Sequence, residues 1–348
     1  PDACFTLAEV RIGIEFHWDH LETLSFRGVL ELLPDGDTLT AVNELPIEEY
    51  LASLLGSEMR EDWPLDALTA QAVAARSTVL ATRGRHHYGE AFDLCHDDHC
   101  QCYRGVSRES DLARRALEAS RGALLVHGGR VADARYAKSC GGVTEAYSSA
   151  WEGWNPPCLR PVVCGPLDGA PGASVEDLWV AGDETLRERL ESPPLWAACN
   201  PKAVRYPASS GEMEALFRWR VSLSREELRG LINTRIGRDL GYITALQPLE
   251  RGSSGRVIHL RIVGKKGSVT VGKELRIRRL LSPSHLPSSA FIVNDTGDEF
   301  HLEGIGWGHG VGLCQLGAAA LAARGWSWER LLAHYYPGTR LVFGHMNE

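Results

Sequence analysis

No stretch of this sequence stays apolar over the roughly 20 residues that a bilayer-spanning helix needs, and no secretory signal peptide opens it. An excess of basic residues is also missing. Against 45 Asp and Glu stand 37 Lys and Arg, a net charge of −8. That balance argues against a nucleic-acid binder and leaves neutral polymers such as glycans open. There is no internal repeat, no low-complexity segment and no βαβ alternation, so a doubly wound parallel sheet is not expected. The sequence has no HExxH zincin motif, no Walker loop and no dinucleotide fingerprint. Nor does it contain the double CxxC of a zinc ribbon.

At 348 residues the chain exceeds one small core, which favours two domains or one domain with a large insertion. The abrupt start at "PDACF" is compatible with a processed protein from which an export signal or lipid anchor could have been removed. "EVRIGIEF" alternates like a strand, and "SFRGVLELL" and "PDGDTLTAVNEL" read as two strands joined at "PDGD". The period then changes. "PIEEYLASLLGSEM" puts Ile47, Tyr50, Leu51, Leu54 and Leu55 on one helical face. "WPLDALTAQAVAARSTVLATRG" is a second helix, with Pro64 and Asp66 suited to its start and Gly84 past its end. "ESDLARRALEASRG" is a third, and "ALLVHGGRVADARYAKSC" a hairpin turning at Gly128–Gly129. Residues 156–176, rich in Pro and Gly, suggest a boundary. "RWRVSLSREELRGLINTRIG" follows. "ALQPLERGSSGRVIHLRIVGKKGSVTVGKELRIRRLL" alternates like strands. The tail has a glycine-rich loop leading into a helix, "AAALAARG". The expected fold is α+β, with mixed helices and antiparallel strands. The expected divisions are 1–165, 166–295 and 296–348, the last packing back on the first.

Four stretches could carry chemistry. Glu58 sits in "GSEMREDWP", where a helix ends. The negative end of the helix dipole and apolar neighbours such as Met59 and Trp63 would raise its pKa, as a general acid requires; the plain alternative is a solvated surface glutamate. "FDLCHDDHCQCYRG" offers Cys95, His99 and Cys100 as zinc ligands, with His87 taken as the fourth and His86, His96 and Cys102 also in reach. Such all-protein ligation would be structural. A Cys95–Cys100 disulfide or reduced core thiols remain open, as does the pairing of Cys158, Cys164 and Cys199. In "GIGWGHGVGLCQLG", glycines at alternate positions could admit a ligand beside His309 and Gln315, or simply make a tight turn. "KSCGGVTE" lacks an obvious base for Ser139 or Cys140, so a strand ending in a glycine turn is the simpler reading.

Taken together, "VNELPIEEYLASLLGSEMREDWPLDALTAQAVAARS", "FDLCHDDHCQCYRG", "YAKSCGGVTEAYSSAW" and "GWGHGVGLCQLGAAALAARGWSWERLLAHYYPGT" resemble the SpoIID/LytB family. So do "LERGSSGRVIHLRIVG" and "LPSSAF". The matches run in family order from about Val42 to Leu341. The resemblance implies a two-lobed fold around a glycan cleft. It implies a lytic transglycosylase that cuts the β-1,4 bond between N-acetylmuramic acid and N-acetylglucosamine in denuded peptidoglycan, outside the cytoplasm, alongside a cell-wall amidase. Non-catalytic enhancement of an amidase is the rival role. Glu58 maps onto the family's catalytic glutamate and Arg76 onto a family arginine, taken as glycan-binding or fold-anchoring. Arg76 is expected about 18 Å along its helix from Pro64. Tyr136, Lys138, His309 and Gln315 are taken as further glycan contacts. Some relatives bind structural zinc through the segment matching residues 95–100.

Overall fold

The structure, a computed structural model, describes residues 3–14, 19–97, 99–165, 174–180, 182–203 and 210–344. It is α+β, and the chain divides into two compact units: residues 1–134 with 327–329 and 339–348, and residues 135–326 with 330–338.

In the first unit, β1 (Phe5–Ile12) and β2 (His20–Phe26) form an antiparallel ribbon, and β3 (Val29–Asp35) and β4 (Thr38–Glu44) a hairpin. The predicted "EVRIGIEF" strand begins earlier and stops at Ile12, where Gly13 turns left-handed (φ 67°). Its last residues, 15 and 16, lie outside the described residues.

Helix α1 (Ile47–Glu58) buries Tyr50, Leu51, Leu54 and Leu55, as its 3.6-residue period requires, while Ile47 keeps some surface. Helix α2 (Leu65–Thr82) is buried nearly all round from Ala67 to Val79. Its small residues let neighbours close on every side, so no amphipathic stripe is needed. Pro64 sits just before its first turn, and Asp66 within that turn accepts from the Trp328 backbone N–H (3.0 Å). Helix α3 (Asp111–Ala119) starts where Ser110 accepts from the Ala113 N–H. It is followed by the hairpin β5 (Ala123–His127) and β6 (Arg130–Val131), turning at Gly128–Gly129, and strand Arg340–Phe343 pairs with β5.

The second unit opens with β7 (Tyr136–Ala137) and the short helices α4 (Tyr147–Ala150), α5 (Asp183–Glu191) and α6 (Ser210–Phe217). Strand β8 (Arg218–Ser224) leads into α7 (Arg225–Ile236) through a capping box of Ser224 and Glu227. Strands β9 (Ile243–Arg251), β10 (Val257–Gly264) and β11 (Gly267–Val271) form an antiparallel sheet. Helix α8 (Glu274–Leu280) follows, then β12 (Phe291–Asp295) and β13 (Glu299–Ile305), which with β8 make a second antiparallel sheet. Strand β14 (Leu313–Cys314) runs parallel to β7 and passes into α9 (Gln315–Ala322). One apolar core joins both three-stranded sheets, α7 and α8.

The segment "ELRIRRL" corrects the sequence reading. It is helix α8, not a continuation of the strand pattern. Ile277, Leu280 and Leu281 are buried at helical spacing, and Arg278 bonds Glu274 one turn back at 3.0 Å. The predicted Pro/Gly-rich boundary falls in part on residues 166–173, outside the described residues. Among the described residues, no helix is long and apolar enough to cross a membrane.

Candidate functional site

In the first unit, Glu58 is the last residue of α1, half-buried, with Met59 and Trp63 buried beside it in sequence. Two residues earlier, Gly56 permits close packing: a Cβ there would lie 1.7 Å from the Arg108 carbonyl oxygen. This glycine seats the last turn of α1 against the short helix Gly105–Arg108.

The Cys/His loop packs on the same helix. Tyr50, buried in α1, donates to Gln101 Oε1 (3.2 Å) and stacks on Tyr103 (centroids 5.0 Å). The Arg104 N–H donates to Ser53 Oγ (3.2 Å). Burial, then the nearby Cys100, Cys102, Glu58 and Cys95, push the Tyr50 phenol well above its usual pKa. Tyr50 therefore stays a neutral donor, close enough to feel both Glu58 and the loop thiols.

Four donors of the loop region converge. One ligand atom each from His87, Cys95, His99 and Cys100 lies within 4.8 Å of the other three. Cys100 Sγ is 3.3 Å from His87 Nε2, while His87 Nδ1 lies 3.2 Å from a Glu90 carboxylate oxygen. Burial lowers the His87 pKa, but hydrogen bonds to Cys95 and Glu90 outweigh it and leave it raised. The Cys95 thiol is pulled down to about 4, first by Cys100, then against burial by the Asp97 backbone, His87 and His99. Cys95 forms no disulfide. Of the spare candidates, His96 is turned toward the Arg11 carbonyl (3.0 Å), and His86 stacks edge-on against His99. Two sulfurs and two imidazoles at this spacing suit a four-coordinate zinc site with no position left for water.

Arg76, expected to bind glycan or anchor the fold, is fully buried. It forms a bidentate pair with Glu48 (2.8 and 2.8 Å) and donates to the Ser120 and Ala123 carbonyls (3.0 and 3.2 Å). A guanidinium with no exposed surface has no face for a sugar, and its bonds join α1, α2 and the start of β5.

In the second unit, the structure gathers Tyr136, Lys138, His309 and Gln315 around the parallel pair β7–β14. Tyr136 pairs with Leu313, and the Leu316 N–H donates to the Lys138 carbonyl (3.0 Å). Tyr136 and Lys138 are half-buried, and Gln315 is buried at the start of α9. His309 Nδ1 accepts from the Val311 N–H (3.0 Å), and its ring lies 4.7 Å from Trp151, over which Arg135 sits. Burial, then Arg135, Arg256 and Arg278, hold His309 well below its usual pKa, so it is neutral at pH 7.

The alternating glycines are all left-handed, with φ from 72° to 82°, and they fit the tight-turn reading. A Cβ on Gly312 would meet the Arg135 carbonyl at 1.9 Å, and one on Gly310 the Arg256 guanidinium at 2.5 Å. Arg256, fully buried, is what sequence reasoning missed. It donates to the carbonyls of Gly308 (3.0 Å), Cys140 (3.0 Å) and Ser139 (3.2 Å) and, through Ser254 Oγ, reaches buried Glu145. It ties the glycine loop to the "KSCGG" turn. A cavity of about 530 Å³ in this unit, lined by Arg187, Arg218 and Glu303 among others, holds none of the residues the sequence singled out.

The first unit thus carries a half-buried carboxylate at the end of α1 and a Cys/His ligand set on a loop that packs against the same helix. The stage II sporulation protein (SpoIID) family model matches residues 35–127, which contain all of these groups. A domain of unknown function, DUF8618, matches residues 145–312 of the second unit. An uncharacterized protein of Brachyspira hyodysenteriae is 26% identical over 322 residues, covering 92% of this chain and 73% of its own length. The amidase enhancer of Bacillus subtilis is 25% identical over 84% of this chain but only 40% of its own. Stage II sporulation protein D of Bacillus subtilis is 22% identical over 86% of this chain and 76% of its own. Together these matches support assigning the chain to the SpoIID/LytB family.

Proposed function

We propose that this chain works on cell-wall peptidoglycan as a lytic transglycosylase, with Glu58 as its acid and base. The observation that carries the reading is the position of Glu58. It is a half-buried carboxylate closing α1, seated by Gly56 and followed by buried Met59, within the segment matched by the sporulation family. In this mechanism the Glu58 carboxylic acid protonates the glycosidic oxygen as the C1–O bond of N-acetylmuramic acid breaks. The C6 hydroxyl of the same sugar then attacks C1, and the Glu58 carboxylate takes the hydroxyl proton. A 1,6-anhydro end forms and the acid is regenerated. Because the nucleophile belongs to the substrate, proximity replaces a bound water and a second carboxylate.

Zinc held by His87, Cys95, His99 and Cys100 would supply no chemistry to the sugar. It would fix the loop on which Tyr50, Ser53 and hence α1 rest. Tyr136, Lys138 and His309 are proposed as glycan contacts. The setting is extracytoplasmic, and a cell-wall amidase is the proposed partner, as the name of one relative suggests.

The experiment is mass spectrometry of denuded glycan strands after digestion. Wild type releases fragments ending in 1,6-anhydro-N-acetylmuramic acid. Glu58→Gln reduces the rate at least about 100-fold, the usual contribution of a general acid. Hydrated reducing ends would make the protein a hydrolase. No release by wild type, together with amidase stimulation that survives Glu58→Gln, would make it an amidase enhancer instead.

A further inference from the structure

The second unit holds another set of ligand atoms, and no carboxylate or imidazole belongs to it. The sulfurs of Cys140, Cys164, Cys199 and Cys314 all lie within 4.8 Å of one another. None of the four side chains is more than 1% exposed, and none is in a disulfide. We propose that these four cysteines bind one zinc ion as a closed, structural tetrathiolate site.

The sulfur spacing fits a single ion. Zinc–sulfur bonds of 2.3 Å in a tetrahedron put neighbouring sulfurs about 3.8 Å apart. Cys140 and Cys199 stand 3.8 Å apart. An iron–sulfur cluster interposes several irons and sulfides between its cysteines, and sulfurs this close leave no room for them. Four thiolates in a tetrahedral set select zinc or a single iron over harder cations.

Buried free thiols would suffice to fill a core, since a cysteine packs as a small hydrophobe. Two further features go beyond packing. First, donors point at the sulfurs. The Cys140 and Gly317 N–H groups donate to Cys314 Sγ (3.3 and 3.4 Å) and the Gly142 N–H to Cys140 Sγ (3.4 Å), while Tyr335 Oη lies 3.3 Å from Cys164 Sγ. A neutral thiol is a weak acceptor, whereas a thiolate is a good one. Gly317 makes its approach possible, because a Cβ there would lie 2.3 Å from Cys164 Sγ. Second, cations stand nearby. Arg189 and Arg218 are half-buried and lie within electrostatic reach of Cys140 and Cys199 respectively. Zinc with four thiolates carries two net negative charges, which two guanidiniums offset.

The ligands come from four separated places: the "KSCGG" turn, the loop at Cys164, the turn at Cys199 and the junction of β14 with α9. Residues 156–165 and 192–203 contain no strand and only a single turn of 3-10 helix. The ion would supply the cross-links that regular structure does not. Lys138 is two residues from Cys140, and Gln315 adjoins Cys314, so the same ion would fix both.

The test separates this site from the His87 site. The full chain, purified in reductant without added metal, should carry two zinc ions by native mass spectrometry and elemental analysis. The variant His87→Ala/Cys100→Ser should keep one. Adding Cys164→Ser and Cys199→Ser should remove it. Should those variants fail to fold, zinc-edge X-ray absorption on the wild type decides, because the mean shell must hold more sulfur than nitrogen. A wild-type shell of equal sulfur and nitrogen with one zinc per chain, iron in place of the second zinc, or disulfides among the four cysteines would each overturn the proposal.

Discussion

Replacing Arg76 by Met should destabilise the first unit by about 3 kcal/mol. The side chain is fully buried and makes four hydrogen bonds, two to Glu48 and one each to the Ser120 and Ala123 carbonyls. Breaking a buried pair by removing one partner costs about 3–5 kcal/mol, mainly because the remaining charge is stranded. Glu48 retains 27% exposure and can be rehydrated, which argues for the low end. The two carbonyls cannot escape in this way: Ser120 and Ala123 are fully buried, and orphaned buried acceptors carry a penalty of their own. Glu48→Gln keeps an acceptor for Arg76 and should cost about 1 kcal/mol. In urea, the Arg76→Met loss would lower the midpoint of the first unit by about 1–2 M. Hydrogen exchange followed by mass spectrometry, on peptides covering 65–82 and 111–127, would assign the loss to this unit. The reasoning fails if Arg76→Met unfolds within about 0.5 kcal/mol of wild type yet loses glycan cleavage, for then the guanidinium would serve the ligand and not the fold.

Gly56→Ala tests how α1 is seated. Helix propensity alone would favour alanine by about 1 kcal/mol. The new Cβ would fall 1.7 Å from the Arg108 carbonyl, so the variant should instead lose about 1–3 kcal/mol and lower the melting temperature. A rise in melting temperature would contradict the packing of α1 on residues 105–108. Asp239 gives a pH test. Lys266, then the Gly241 N–H and Arg229, hold its carboxylate well below the usual range. A folded-state pKa below the unfolded value of about 3.9 adds stability above that pH, lost as pH falls through the folded value. Asp239→Asn should therefore lower the melting temperature at pH 6–7, with the gap to wild type closing below about pH 4. A gap that persists or widens in acid would rule out this linkage.

What could be read from the sequence was local. The helix pair α1–α2 follows from its apolar period and from Pro64 and Gly84, and the Cys/His set from donors crowded between residues 87 and 100. His87 was taken as the fourth donor over His86 and His96, and the fold brings it within reach of Cys95, His99 and Cys100 while His96 turns to the Arg11 carbonyl. Helix α8 was misread because "ELRIRRL" fits a period of two as well as one of 3.6. The turn through Glu274 and Arg278 decides between them. Arg76 was placed on α2 with two roles open, and its full burial favours the fold-anchoring one. Arg256 and the four-cysteine set were illegible because their partners are far away in sequence. Glu145 lies more than 100 residues from Ser254, which links it to Arg256.

The two ligand sets also differ in what a metal can do for folding. Cys95 and Cys100 are near neighbours in sequence, so closing that loop costs little entropy and an ion there can order the segment on its own. Cys140 and Cys314 are 174 residues apart. Loop-closure cost grows as 1.5RT times the logarithm of length, so bringing that pair together costs about 3 kcal/mol more than joining the first. The chain must already be folded before four such sulfurs can meet. An ion bound there stabilises the native state alone, by an amount that rises with its free concentration over Kd. Stripping the local site should therefore loosen α1 and the loop on it, whereas stripping the dispersed one should lower the melting of the whole second unit. The glycine loop with His309 and the strand bearing Tyr136 would loosen with it, because Cys314 and Cys140 bound these two segments.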